Sequence, residues 1–254
     1  MGFKLTILGS NSAVPAFDRH PSAQVLQFNE RLFLIDCGEG TQMQITRYGI
    51  KPHRISHIFI SHLHGDHYFG LVGLISTMHL LGRTIPLQIF GPAALNEIIK
   101  LQLQASLTTL RFPLHFIPVE PGPGHIILEE EGLTVSSILL NHHIPCTGFL
   151  FKSTTKSYAY CTDTAYEVSL EAAIQNVDVL YHEATFMEDL AGRAKETFHS
   201  TAMEAGTVAL KAGVGKLLIG HFSSRYKSPD PLLMEAKSVF PATELALEGS
   251  VFEI

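Results

Sequence analysis

Cysteine, basic charge and long apolar runs are all scarce in this chain, and each shortage excludes a class of protein. Its three cysteines, Cys37, Cys146 and Cys161, lie far apart with no C-x-x-C pair. They cannot form a disulfide framework, and they point to a reduced, cytoplasmic setting. No apolar run reaches the roughly 18 residues of a membrane span, and the stretch from Met1 to Thr6 has no signal-peptide core, so no membrane partner is expected. The start does fit the myristoylation pattern M-G-x-x-x-[ST], but Lys4 to Leu8 also reads as a first strand, which argues against lipidation. With 18 Lys+Arg against 24 Asp+Glu, a formal net charge of −6, no global field draws in a polyanion. Any phosphate must be held by a local patch or by bound cations.

No repeat, low-complexity tract or dividing linker interrupts the 254 residues. Hydrophobic residues make up 46% and charged residues 17%, which leaves ample apolar surface for a core and no case for disorder. Residues 1–254 are expected to form a single domain. Runs rich in β-formers at Lys4 to Gly9, Arg31 to Asp36, Ile55 to Ser61 and Pro86 to Phe90 alternate with helical patterns at Gln42 to Tyr48, Tyr68 to Leu81 and Ala93 to Gln104. The segment between Gly9 and Arg31 reads as a loop, and Thr41 as the cap of the first helix. Several strands follow from Leu114 to Phe151, Leu133 to Leu140 among them, and then strands at Ser157 to Cys161, Val177 to Tyr181 and Lys216 to Gly220 alternate with helices at Val168 to Gln175, Thr201 to Ala212 and Leu232 to Val239. This order suggests α/β architecture, with two mixed sheets face to face and helices outside.

The chemistry concentrates in His62-Leu63-His64-Gly65-Asp66-His67, directly after an apolar strand. A lone histidine is ordinarily a surface or hydrogen-bonded core residue. Four ligand-type side chains within six positions are costly to desolvate together and return nothing structurally, which points to a metal site. In extended backbone, i and i+2 share a side, so His62 and His64 can chelate one ion, and after the turn at Gly65, Asp66 and His67 can face a second.

This run matches the H-x-H-x-D-H signature of the metallo-β-lactamase superfamily. The chain more closely resembles the ribonuclease Z family of tRNA 3′-processing endonucleases, through Phe33 to Gln42, Ile58 to Leu71, Tyr181 to Phe186, Phe198 to Thr201 and His221 to Tyr226 in order. The resemblance spans nearly the whole chain and implies an αββα sandwich of the metallo-β-lactamase type. It implies two Zn²⁺ per chain, with Mn²⁺ or Fe²⁺ as alternatives. His62, His64 and His142 would hold one ion, and Asp66, His67 and His221 the other, with Asp163 bridging. His143 remains the alternative to His142. Asp36 and His182 would support the ligands from behind. Asp66 would also orient the nucleophile, and His199, paired with Glu183, would protonate the leaving group. Ser223, Ser224 and Arg225 would contact a flanking phosphate. Relatives also imply a homodimer.

The resemblance fails at two places. Ribonucleases Z of the usual short form carry a long arm that docks the tRNA elbow, between the glycine after the third histidine ligand and the bridging aspartate. Here Gly148 to Asp163 holds only a hairpin, Phe149 to Tyr160, with Lys152 and Lys156 as its basic residues. The loop Pro15 to Ser22 is also less basic than the family's. The expected function is metal-dependent phosphodiester hydrolysis, either endonucleolytic removal of the pre-tRNA 3′ trailer or action on small or cyclic diesters or other RNA. A non-catalytic metal-binding scaffold is the remote alternative.

Overall fold

The computed structural model describes residues 2–254. Two seven-stranded sheets face each other. The first contains β1 (Phe3–Gly9), β2 (Ala23–Phe28), β3 (Arg31–Ile35), β4 (Ile55–Phe59), β5 (Leu87–Gly91) and β6 (Leu114–Pro118), with β14 (Val251–Glu253) at the β1 edge. The second runs from β7 (Ile126–Glu130) through β8 (Leu133–Leu140), β9 (Cys146–Ser153), β10 (Ser157–Cys161), β11 (Val179–Glu183) and β12 (Lys216–Gly220) to β13 (Thr243–Leu245). Helices α1 (Thr41–Arg47), α2 (Gly65–Tyr68), α3 (Leu71–Leu80) and α4 (Ala94–Ala105) accompany the first sheet. Helices α5 (Ser169–Ala173), α6 (Ala191–Glu196), α7 (Ala202–Ala212) and α8 (Asp230–Val239) accompany the second.

Strand alternation builds the layers. On β9, Phe149 and Phe151 point into the space between the sheets, while Leu150 packs outward; on β10, Tyr158 and Tyr160 point in, while Ala159 and Cys161 point out. The central core is aromatic, with Phe59 stacked on Phe90 at 4.7 Å and edge-on to Phe151 at 5.3 Å. A second apolar layer packs the first sheet against α3 and α4, and a third packs the second sheet against α5, α7 and α8. This is the αββα sandwich.

Three local expectations need correction. Ala23 to Phe28 forms β2 between β1 and β3, not part of a loop. Its residues are buried on both faces apart from Gln27, so the polar and apolar alternation that marks a half-buried strand is absent. Thr41 does not cap α1: Gly40 precedes the helix at φ 82°, and the Thr41 hydroxyl donates to the Gly38 carbonyl at 2.7 Å. The patterned stretch Tyr68 to Leu81 is split at Phe69-Gly70 into α2 and α3. The β9–β10 hairpin is tight, pairing Lys152 with Ser157.

Candidate metal centre

The histidine run begins where β4 leaves the sheet. His62 is fully buried, and its Nε2 lies 3.1 Å from Nδ1 of His64. His142, at the turn from β8 into β9, brings its Nε2 to 3.1 Å from the same His64 nitrogen. His143 points elsewhere, exposed and with its ring 5.9 Å from that of Phe198. Helix α2 turns Asp66 and His67 to the other side. There Asp66 Oδ2 stands 3.4 Å from His67 Nε2 and 3.5 Å from His221 Nε2.

Asp163 lies between the two groups. Its Oδ1 is 3.2 Å from Nε2 of both His67 and His221, and its Oδ2 is 3.7 Å from Nε2 of both His62 and His142. One carboxylate therefore presents one oxygen to each cluster. The donor atoms of His62, His64, His142 and Asp163 all lie within 4.8 Å of one another, as do those of Asp66, His67 and His221.

The residues fit divalent cations. Nε2 of His67 and of His221 is buried without a hydrogen-bond partner, a costly state for a polar atom unless an ion takes its lone pair. Burial, with smaller repulsions from neighbouring histidines, pushes His62 down; burial likewise lowers His64 and His142, toward the neutral form a ligand needs. At His67 burial is outweighed by Asp163, Asp66 and Asp36, which pull the ring toward a positive charge. At Asp66 and Asp163 burial is outweighed by the surrounding histidines, which hold both carboxylates ionised. This crowd of anions asks for cations at its centre.

Four of the candidate histidine ligands are held from behind. His67 Nδ1 donates to Asp36 Oδ2 at 2.7 Å, and the same oxygen accepts from Tyr160 at 2.7 Å and the Ser61 hydroxyl at 2.9 Å. His142 Nδ1 donates to the Phe198 carbonyl at 3.0 Å, and Ser61 Oγ lies 3.0 Å from His62 Nδ1. Thr185 Oγ1 sits 2.9 Å from His221 Nδ1 and 2.6 Å from Glu183 Oε2. Such contacts orient the rings and leave the opposite nitrogen for a metal. Asp36, Phe198 and His221 all adopt positive φ, between 55° and 58°, which non-glycine residues rarely hold without surrounding constraint.

His182 does not join this shell. It alternates with Tyr181 and Glu183 on β11, and its Nδ1 bonds to the Glu183 carbonyl at 2.7 Å, with no contact to a ligand. Glu183 does face the site, its Oε1 accepting from His199 Nδ1 at 2.8 Å and from the Thr164 amide at 2.7 Å. Burial opposes the charge on His199, but Glu183 outweighs it through its own charge and this hydrogen bond, and His199 is raised to about 9. Thr201 caps α7 in a reciprocal box with Glu204, fixing the chain just after His199.

The loops around the cleft carry residues whose roles the sequence conceals. The amide of Ala13 donates to Asp66 Oδ2 at 2.8 Å. The buried Arg19 donates to Asn11 at 2.9 Å and to the carbonyls of Tyr226 and Lys227 at 2.7 and 3.0 Å, tying this loop to the one after His221. On that second loop Ser223 is buried, Ser224 and Arg225 are exposed, and the Arg225 guanidinium lies 3.3 Å from Ser223 Oγ. Gly38 is needed for close approach: a Cβ there would stand 2.3 Å from the Asp66 carbonyl.

A family model described as the anti-Pycsar protein Apyc1 matches residues 3–222, which take in every candidate ligand. The chain is 44% identical to ribonuclease Z of Cytophaga hutchinsonii, covering all of this chain and 97% of the relative. It is 40% identical to ribonuclease Z of Bacteroides fragilis, covering 97% of each. The alignment with the Cytophaga protein spans 303 positions against the 254 residues of this chain, so that relative carries insertions this chain lacks. Among solved structures, human tRNase Z, short form, superposes with a TM-score of 0.88 at 31% identity over 98% of both chains. The metallo-β-lactamase fold protein YhfI of Bacillus subtilis gives 0.85 at 26% identity over the full length of both. With these matches, and with a histidine and aspartate cluster able to hold metal, the chain belongs to the ribonuclease Z family of metal-dependent hydrolases with the metallo-β-lactamase fold.

Proposed function

We propose that this protein is a dinuclear zinc endoribonuclease that removes the 3′ trailer of pre-tRNA and recognises its substrate mainly at the cleavage site. The observation that carries this reading is Asp163, whose two oxygens each face a separate ligand cluster beside the His199–Glu183 pair. His62, His64, His142 and Asp163 form one candidate site, and Asp66, His67, His221 and Asp163 the other. Imidazole-rich donors suit zinc, with manganese or iron as alternatives. Such cations, when bound, activate water and neutralise phosphoryl oxygens.

The chain's own groups supply the remainder. Asp66, steadied by the Ala13 amide, orients the attacking water. As the P–O bond breaks, His199 gives its proton to the leaving oxygen, so that water and diester yield a phosphomonoester and an alcohol. Glu183 keeps His199 charged for this step, with Asp36 orienting His67 from behind. Ser223, Ser224 and Arg225 offer hydroxyls and a guanidinium to a neighbouring phosphate. The buried, unpaired thiols of Cys37, Cys146 and Cys161 suit a cytoplasmic enzyme, and the family likeness supports a homodimer.

A second reading, hydrolysis of small or cyclic diesters or of non-tRNA RNA, is favoured by the short β9–β10 link. Only residues 154–156 join those strands, where the usual short-form enzyme inserts its docking arm. Purified protein of measured metal content, offered a 3′-extended pre-tRNA and bis(p-nitrophenyl) phosphate, separates the two readings. The first expects cleavage of the RNA at the end of the acceptor stem. Turnover of the chromogenic diester with the RNA left intact would favour the second.

A further inference from the structure

His199 stands between two cavities. One, about 500 Å³, lies over the ligands and is floored by His64, Asp66 and Asp163. The other, about 600 Å³, shares only His199 with the first and is walled by Asn141, Tyr166, Lys195, Phe198 and Glu204. None of those five is a candidate ligand. Both volumes lie within the roughly 300–1,000 Å³ typical of small-molecule sites.

In-line displacement at phosphorus assigns the second cavity an occupant. The water attacks from the ligand side, so the leaving oxygen departs from the opposite side and must come within hydrogen-bond reach of the acid. The nucleotide bearing that oxygen then continues past His199, away from the ligand clusters. We infer that the cavity behind His199 is the subsite for the base of the leaving nucleotide, with Tyr166 and Phe198 as stacking walls and Asn141 and Lys195 as polar contacts.

The wall chemistry suits a nucleobase of any identity. Tyr166 and Phe198 are half-buried, each offering part of an aromatic ring, and Asn141 and Lys195 are exposed. The Tyr166 hydroxyl accepts from Lys211 at 2.8 Å, and the same ammonium lies 5.6 Å from the ring centroid, so the ring is braced in place. The carbonyl of Phe198 holds the ligand His142, which ties this wall to the metal centre. Stacking on aromatic rings tolerates every base, so this subsite positions the leaving nucleotide without reading its sequence.

The inference rests on the endoribonuclease reading, and the test separates their failures. Three short single-stranded RNAs with one cleavage site are compared: intact, lacking the base on the leaving side, and lacking the base on the other side. For the wild-type enzyme, loss of the leaving-side base should lower kcat/KM by about ten- to a hundredfold. Tyr166→Ala should cleave intact RNA at that lowered rate, lose nothing more on the leaving-side abasic RNA, and keep the wild-type response to the other abasic RNA. Tyr166→Phe should restore the wild-type pattern. Lys195→Ala, an exposed change, should lose severalfold on intact RNA and nothing on the leaving-side abasic RNA. Indifference of the wild type to the leaving-side base, or equal losses on all three RNAs in Tyr166→Ala, would overturn the subsite and leave the ribonuclease reading standing. Failure of the metal-loaded enzyme to cut intact RNA would overturn both.

Discussion

Replacing Glu183 by glutamine should move the alkaline limit of activity without emptying the metal centre. Glu183 raises His199 to about 9, so at neutral pH the ring is almost wholly the acid that departure of an alkoxide requires. Glutamine keeps an acceptor for the Thr164 amide but removes the charge, leaving burial opposed only by the more distant Asp163 and Asp66. If His199 then falls back to the ordinary value near 6.5, the charged fraction drops about fourfold at pH 7 and about thirtyfold at pH 8. The sign is fixed: a raised pKa preserves the acid as pH rises, so lowering it brings the alkaline fall to lower pH. Divalent cations at the site push His199 down in both proteins, shifting both limits in the same direction. The assay is kcat against pH on a short RNA, with metal content measured for each variant. His199→Ala should lose about 10²–10⁴-fold on RNA below the wild-type alkaline limit, with the gap narrowing above it. It should lose far less on bis(p-nitrophenyl) phosphate, whose leaving group needs no proton. An unchanged alkaline limit in Glu183→Gln, or equal losses of His199→Ala on both substrates, would refute the acid role.

Asp163→Ala should lose metal and RNA cleavage together, because both clusters lose an oxygen; elemental analysis and a cleavage assay on the same sample check this, and full activity would show the bridge misplaced. His142→Ala should lose metal from the His62 and His64 cluster while His143→Ala retains it, which elemental analysis also reads. Without a docking arm, intact pre-tRNA should gain little over a short RNA with the same 3′ end, and the salt slope of affinity should be shallow, each phosphate contact contributing about 0.7–0.9. Competition kinetics across a salt series measure both, and a hundredfold preference for pre-tRNA would mean that another surface replaces the arm.

The legible parts of the site were those set by short-range geometry. His62, His64, Asp66 and His67 lie within six residues of a strand end, where alternation and one turn decide their directions. The same rule applied to β11 places Glu183 on the side of Tyr181 and turns His182 to the other, so alternation argues against a supporting role for His182. Arg19 was not legible, since its partners are an asparagine and two backbone carbonyls more than 200 residues away, which no side-chain pattern encodes. Thr185 and Ser61 gave only the weak signal of hydroxyls beside named site residues. In the fold, β8, β10 and β12 stand at their expected bounds because their apolar runs are sharply delimited. The short helix α6 escaped notice because six residues carry too little periodicity to announce a helix.

The central claim, that the seven clustered residues form a two-ion centre, is tested most directly by counting metal in the wild-type protein. Protein purified without chelator should carry about two divalent ions per chain by elemental analysis, because two ligand clusters share Asp163. Folded, unchelated protein that holds none, and takes up none from zinc in solution, would contradict it.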